Sequence, residues 1–592
     1  MKHLFTVILL LITVAEFSFS QVYPPTKEFR SVWLTTVTNL DYPKTQGAQN
    51  QQNELINIIQ NLKNNNFNTV VLQVRSRGDL LYPSAIEPWA KCLTGQLGKD
   101  PGWDPLQVAV EECHKRGMEL HAWWNFALVA DGTSAPSSVG LPHVASAHPT
   151  WVKQAGSQLF MDVGLPEVRE YLVNLAMEMV RKYDIDAIHF DYIRYSESKS
   201  PAFDDNATYN TYGSGMSKDD WRRENINMFV RAVYDSIKKV KPWVKVGSTP
   251  IGNYASGVPG VGPALYGYSD CYQDSRRWMK ENKHDYLAPQ IYWDLTGSYP
   301  YNVILKNWLD NSGPRHIYGG IAAYKNDSTS AKSGAVFSQI GDIIDYTRSL
   351  GAKGEIYFRY EHISSGNFYG LKGRYANPAN IPPMPWIDSI PPGKPSNLSI
   401  TKIDSKTYKL TWQKPSSGSD GDTAKYYNIY RSNTSTINTN DATNLYYITT
   451  NSDNSININF ATEPTQNYYF AVSALDRNNV ESELSNVVSI IVTDVTELNM
   501  PKSYVLEQNY PNPFNPSTVI AYNIESKGFV SLKVYNVLGE EIKTLVNDVK
   551  EPGRYNVTFN ATNLPSGVYF YKIDVISNNS RFTDIKKMIL AK

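Results

Sequence analysis

Only three cysteines, Cys92, Cys113 and Cys271, occur in 592 residues. So sparse and odd a set supports no disulfide framework, and its spacing fits no metal-site pattern. The three are read as buried free thiols. Net charge is also missing, since 57 basic and 57 acidic side chains cancel. No basic field is therefore available to hold nucleic acid or an anionic membrane. The apolar run Leu4 to Val14 is too short to span a membrane as a mature helix. With Lys2 and His3 before it and Ser18-Phe19-Ser20 after it, it reads as a signal peptide over 1–20, cut near Gln21. Export without a stable membrane span is the expectation. There is no Ser nucleophile elbow, Walker loop or CxxC motif, and no cofactor is expected.

What the sequence has in excess is aromatic residues, with 40 Tyr and 13 Trp. Between Phe29 and Glu361, short apolar, β-branched or aromatic runs alternate with longer amphipathic stretches. That pattern predicts βα units around a parallel sheet. Eight strands are predicted, at 29–37, 69–75, 119–125, 187–192, 245–250, 286–293, 317–323 and 355–360. Between the first two, apolar residues at 55, 58, 59 and 62 mark one face of a helix. The fold class expected is α/β, a (β/α)8 TIM barrel followed by two small all-β sandwich domains. A doubly wound sheet would more often carry a Gly-rich phosphate turn after strand 1, and Thr35-Thr-Val-Thr-Asn-Leu-Asp41 is not one.

The barrel is expected over 28–385, and the Pro-rich stretch 381–395 reads as a stiff linker. Beyond it the period changes to two. Trp412, Tyr426-Tyr-Asn-Ile-Tyr-Arg431 and Tyr468-Tyr-Phe-Ala-Val-Ser-Ala474 resemble strands of a fibronectin type III domain, over 391–493. Residues 504–592 resemble the C-terminal sorting domain of type IX secretion substrates. The matching residues are Leu506-Glu-Gln-Asn-Tyr-Pro-Asn-Pro-Phe-Asn-Pro516, Val534-Tyr-Asn-Val-Leu-Gly539 and Leu564-Pro-Ser-Gly-Val-Tyr569. That resemblance implies the type IX machinery as a partner and an extracellular or cell-surface destination.

In a barrel the chemistry is sought at the C-terminal ends of the strands. Asp191 stands at the exit of the strand-4 run Ile185-Asp-Ala-Ile-His-Phe-Asp, on the same face as His189 by alternation. Cleaving a glycosidic bond needs two carboxyl groups, one donating a proton and one attacking or activating water. Asp191 is expected as nucleophile or stabiliser and Asp294 as general acid/base, its pKa raised by Trp293 alongside. Glu361 is the substitute for Asp294. Further residues near the strand ends are expected to contact sugar: Trp33, Arg75, Asp79, His121, Trp123, Asn125, His189, Tyr192, Arg194, Gln290, Tyr292, Trp293 and Tyr360. Several offer flat faces suited to pyranose rings. A zinc set from His114, His121, His189 and Asp191 lacks a paired-His spacing, so no metal is expected.

Together, Phe29-Arg-Ser-Val-Trp-Leu-Thr35, Val71-Leu-Gln-Val-Arg75, His121-Ala-Trp-Trp-Asn125, His189-Phe-Asp-Tyr192 and Tyr286-Leu-Ala-Pro-Gln-Ile-Tyr-Trp293 resemble the tenth glycosyl-hydrolase-like family. The resemblance implies a glycan-cleaving barrel, acting on peptidoglycan glycan strands stripped of peptides. The sequence departs from the family pattern at strand 4, where Tyr192 directly follows a single Asp191. The rival expectation is a non-catalytic glycan-binding surface protein that uses the barrel's aromatic cleft.

Overall fold

The computed structural model describes residues 24–196, 203–326, 339–365, 368, 370–449, 454–492, 501, 503–577 and 580–592. The expected signal peptide lies outside them. The chain forms two compact units that meet at Ile490 and Ile491.

In the first unit, eight parallel strands form the barrel. They are β1 (Phe29–Leu34), β2 (Thr69–Arg75), β3 (Glu119–Asn125), β4 (Ala187–Asp191), β5 (Lys245–Ser248), β6 (Tyr286–Leu287), β7 (His316–Ile317, resuming at Gly319–Ala322) and β8 (Gly354–Phe358). The sheet closes through β7. Its first part pairs with β6, its second with β8, and β8 pairs with β1. Helices follow the strands: α1 (Ala48–Asn64), α2 (Pro105–His114), α3 (Pro166–Lys182), α4 (Lys218–Val240), α5 (Ser275–Lys280), α6 (Tyr301–Leu309), α7 (Ile340–Ser349) and α8 (Tyr360–Ser365). In α1 the expected face, Leu55, Ile58, Ile59 and Leu62, is buried.

Alternation divides each barrel strand between two cores. Inward-facing Phe29, Trp33, Val71, Trp123, Ala187 and Tyr286 fill the lumen. Outward-facing Val32, Val70, Leu72, Trp124, Ile188 and Phe190 meet the helices. The lumen also holds a chain of polar contacts. Lys245 and His121 bond Glu119 at 2.5 and 2.9 Å, and His121 Nδ1 meets Tyr286 Oη at 2.8 Å. The same hydroxyl meets His189 Nδ1 at 3.0 Å, and Trp33 Nε1 donates to His189 Nε2 at 3.1 Å. Burial holds the His189 imidazole well below its ordinary pKa, with His121 adding to the shift, so His189 is neutral. Burial opposes ionisation of Glu119, but Lys245 and the His121 bond outweigh it and hold its carboxyl below the usual range.

The C-terminal part of the unit is a seven-stranded antiparallel sandwich. Its strands are β9 (Ser396–Lys402), β10 (Thr407–Gln413), β11 (Tyr426–Ser432), β12 (Leu445–Ile448), β13 (Ser455–Asn459), β14 (Tyr468–Leu475) and β15 (Val488–Ile490). One sheet runs β9-β10-β13 and the other β12-β11-β14-β15. The sandwich lies against the N-terminal ends of the barrel strands. Asn479 donates to Glu119 at 2.7 Å, Lys425 pairs with Asp186 at 3.3 Å and Arg477 with Asp184 at 3.1 Å. The start of the Pro-rich segment is more than a spacer. Ile381 and Met384 are buried in the lumen core, and Trp386 Nε1 donates to Asp285 at 2.9 Å. Apolar side chains spaced between prolines had to be buried, and the open lower end of the barrel receives them.

The second unit is also a two-sheet sandwich. It comprises β16 (Val505–Leu506), β17 (Ser517–Ile524), β18 (Gly528–Tyr535), β19 (Glu541–Lys550), β20 (Gly553–Asn560), β21 (Gly567–Ser577) and β22 (Arg581–Leu590). The sheets run β16-β17-β20 and β19-β18-β21-β22 around Ile520, Leu532, Tyr571 and Ile573.

Candidate active site

Asp191 is the last residue of β4, opposite Asn125 on β3, and is 5% exposed. The next residue, Tyr192, has φ of 51°, a left-handed conformation that a tyrosine adopts at a cost. Asp191 Oδ1 accepts the Tyr192 N–H at 2.7 Å and the Gln290 amide at 3.3 Å. Among the described residues both hydrogen bonds fall on one oxygen, which makes Oδ2 the position for a proton. Burial raises the Asp191 pKa above the ordinary carboxylate range, against the lowering influence of Arg194, the Tyr192 N–H and Arg77. The Trp123 indole N–H also favours the carboxylate but does not complete a hydrogen bond. Tyr292 faces the same carboxyl. Burial first, then Asp191, hold its phenol well above the usual value. The Arg194 guanidinium stacks on the Tyr192 ring at 4.5 Å.

The second carboxyl group expected, Asp294, has a different environment. Its side chain is 30% exposed and meets Lys325 Nζ at 3.3 Å. The apolar cover expected from Trp293 is absent, because that ring packs on Tyr299 at 5.2 Å. Tyr292 and Tyr324, ring centroids 6.3 Å apart, lie between the surroundings of Asp191 and of Asp294. Glu361 is 46% exposed and bonds Arg359 at 2.6 Å, and that bond holds its carboxyl below the ordinary range.

Asp191, Tyr192, Arg194, Gln290, Tyr292 and Trp123 thus come together at the mouth. Other expected sugar contacts lie elsewhere. Trp33, His121 and His189 are buried within the lumen by the bonds above. Arg75 is fully buried, bidentate to Glu87 at 2.7 and 2.6 Å, and donates to the carbonyls of Asn125 and Phe126. Its guanidinium lies over outward-facing Trp124 at 4.6 Å, so it braces the wall rather than the mouth. The Tyr360 hydroxyl turns to Asn61 on α1. Asn125 is buried, with Nδ2 donating to the Ser76 carbonyl at 2.9 Å. Asp79 bonds Ser76 Oγ, the Arg77 N–H and the Lys91 N–H, and so shapes its own loop.

That loop borders a cavity of about 680 Å³ between the segments after β1, β2 and β3. Thr36, Asn39, Arg77, Asp79 and Asp131 are in its wall, and Asp191 is not. Arg77 is the link: it bonds Asp131 at 2.8 Å and lies 5.9 Å from the Tyr192 ring. Asp131 is a carboxylate the sequence reading missed. It sits on a small antiparallel ribbon (Leu128–Asp131, Val152–Ala155, Gln158–Met161) inserted after β3, and no periodicity marks a loop insertion as part of the mouth.

Known proteins resemble this chain along most of its length. Residues 28–339 match the family model Glycosyl hydrolase-like 10, and residues 508–591 match Secretion system C-terminal sorting domain. Glycosyl hydrolase YngK of Bacillus subtilis (strain 168) is 35% identical over 424 residues, covering 68% of this chain and 83% of that protein. Glycosyl hydrolase DigH of Escherichia coli (strain K12) is 36% identical over 323 residues, covering 50% and 73%. Among solved structures, alpha-L-fucosidase isoenzyme 2 from Paenibacillus thiaminolyticus aligns over 59% of this chain and 49% of that one, at 15% identity and a TM-score of 0.39. The C-terminal sorting domain marks the chain for export to the cell surface or beyond, and among the described residues no helix is long and apolar enough to cross a membrane. The barrel strands β1 to β7, with Asp191, Gln290 and Asp294, lie within the matched residues 28–339, and the chain belongs to the glycosyl hydrolase-like 10 family.

Proposed function

We propose that this protein is an exported glycoside hydrolase in which Asp191 is the proton donor to the leaving oxygen. The observation that carries this reading is the buried Asp191 carboxyl, held through one oxygen at the C-terminal mouth of the barrel. A general acid must keep its proton near neutral pH, and burial gives Asp191 that tendency. Asp294, partly exposed and paired with Lys325, suits the second carboxylate, as nucleophile or base. The roles expected from sequence are thereby exchanged. Tyr292 and Arg194 would contact the sugar beside Asp191, and the cavity next to Arg77 has room for further sugar rings.

The substrate proposed is a polysaccharide, specifically peptide-free peptidoglycan glycan strands, with the N-terminal segment acting as an export signal. The seven-stranded sandwich, three strands against four, is proposed to be fibronectin type III-like. The test is reducing-end release from peptide-free strands and a polysaccharide panel, comparing wild type with Asp191→Asn. Release by wild type and its loss in a folded variant support the enzyme. Glycan retention by a wild-type protein that releases nothing replaces it with a binding protein.

A further inference from the structure

Far from the mouth, four carboxyl groups gather where the Pro-rich segment meets the first sandwich. Asp388 belongs to that segment, Asp420 and Asp422 to the β10–β11 loop, and Asp476 to the turn after β14. One oxygen from each of Asp388, Asp420 and Asp422 lies within 4.8 Å of the other two. Among the described residues, none of the four forms an ion pair with Lys or Arg. Arg477 is close enough for Asp422 to feel its charge, but its guanidinium is turned to Asp184 and the Trp243 ring.

A second observation concerns buried acceptors. Asn478 is 4% exposed and lines the same cavity as the three aspartates. Its Nδ2 donates to Asp388 Oδ2 at 3.2 Å, while its Oδ1 has no hydrogen-bond partner. Asp476 is fully buried. Its Oδ1 accepts the N–H groups of Asn478 and Val480, and its Oδ2 has no partner. A buried acceptor without a donor costs roughly 1–3 kcal/mol. Here two such acceptors sit beside three crowded carboxylates, whose only hydrogen-bond donors among the described residues are Asn478 Nδ2 and the Ile390 N–H to Asp388 and the Asp422 N–H to Asp420.

We propose that this junction is a calcium site, with Asp388, Asp420, Asp422 and the Asn478 carbonyl oxygen as ligands and Asp476 beside them. Calcium bonds oxygen at about 2.4 Å and accepts irregular shells, so oxygens up to about 4.8 Å apart can share one ion. The donor set is all oxygen, which suits a hard cation and not zinc or copper. Magnesium would demand a stricter octahedron. The ion would tie together the Pro-rich segment and two loops of the sandwich, fixing that module against the barrel floor.

The experiment uses the full chain, freed of metal with a chelator and titrated with calcium by calorimetry. Terbium emission excited through tryptophan is followed in parallel, because Trp243 lines the same cavity. One site is expected, in the affinity range of about 10⁻⁴–10⁻³ M typical of extracellular modules. Asp420→Asn and Asp422→Asn lie at partly exposed positions and are expected to keep the native circular dichroism while weakening binding at least tenfold. Trp243→Phe should lose the sensitised emission yet keep the calcium affinity. No binding to wild type at millimolar calcium, or an affinity unchanged in both aspartate variants, overturns the proposal.

Discussion

Gln290 reaches from beyond β6 to Asp191 on β4, its Nε2 3.3 Å from Oδ1, the oxygen that also accepts the Tyr192 N–H. Among the described residues no hydrogen bond reaches Oδ2, and the two bonds on Oδ1 fix the carboxyl plane at the mouth. The reactive atom of the proposed acid is thus chosen by its neighbours.

Replacing Asp191 with Asn should lower kcat by about 10²–10⁴-fold, the usual contribution of a general acid, with a small change in KM. Stability should move the other way. The folded-state pKa is raised, so between the ordinary Asp value of about 3.9 and the raised one the unfolded chain ionises and is solvated while the native protein keeps its proton. Wild-type stability from this group is therefore lost as pH rises through that window. Asp191→Asn should equal wild type below about pH 4 and exceed it at neutrality, as read by denaturant titration at several pH values.

Gln290→Leu removes a donor to the carboxylate and should raise the proton affinity of Asp191 further. The alkaline limb of the kcat profile is expected to shift upward in pH. A profile identical to wild type would detach Gln290 from the acid.

Asp294→Asn and Asp131→Asn separate the two mouth carboxylates. Loss of turnover in the first and near-normal turnover in the second is the expected result, measured by reducing-end release. The reverse would transfer the second role to the cavity beside Arg77.

Gly247→Ala would place a methyl group 2.1 Å from Tyr286 Cζ, inside the lumen. The ring must move, and its bonds to His121 and His189 go with it. Overpacking of this kind costs roughly 1–3 kcal/mol, visible as a lower thermal midpoint.

Arg75→Met leaves Glu87 buried and unpaired, which typically costs 3–5 kcal/mol. The expected effect is on the unfolding midpoint, with KM for glycan unchanged in the protein that remains folded.

The barrel was legible because alternation is regular: His189 and Asp191 face inward and Ile188 and Phe190 outward, as period two requires. Arg75 shows where that rule ends. Val71 and Gln73 share its parity, so it too should face the mouth. A register shift against β3 between Gln73 and Arg75 turns it onto Trp124 instead. Tyr360 was placed at a strand end, but β8 stops at Phe358 and a helix begins at Tyr360, so its direction follows a different period. The proposed exchange of acid and base roles was beyond sequence reach for another reason. Desolvation depends on what covers a side chain in space, and Trp293 beside Asp294 in sequence covers Tyr299 instead.

The lower end of the barrel is finished by residues that belong to other segments. Ile381 and Met384 complete its apolar floor and Asn479 completes the shell of Glu119. A barrel without the sandwich would leave Glu119 short of its Asn479 donor and open to water at its lower end. Barrel and sandwich thus share one compact unit, whose floor neither segment completes alone, and the residues beyond Ile490 form a compact unit of their own.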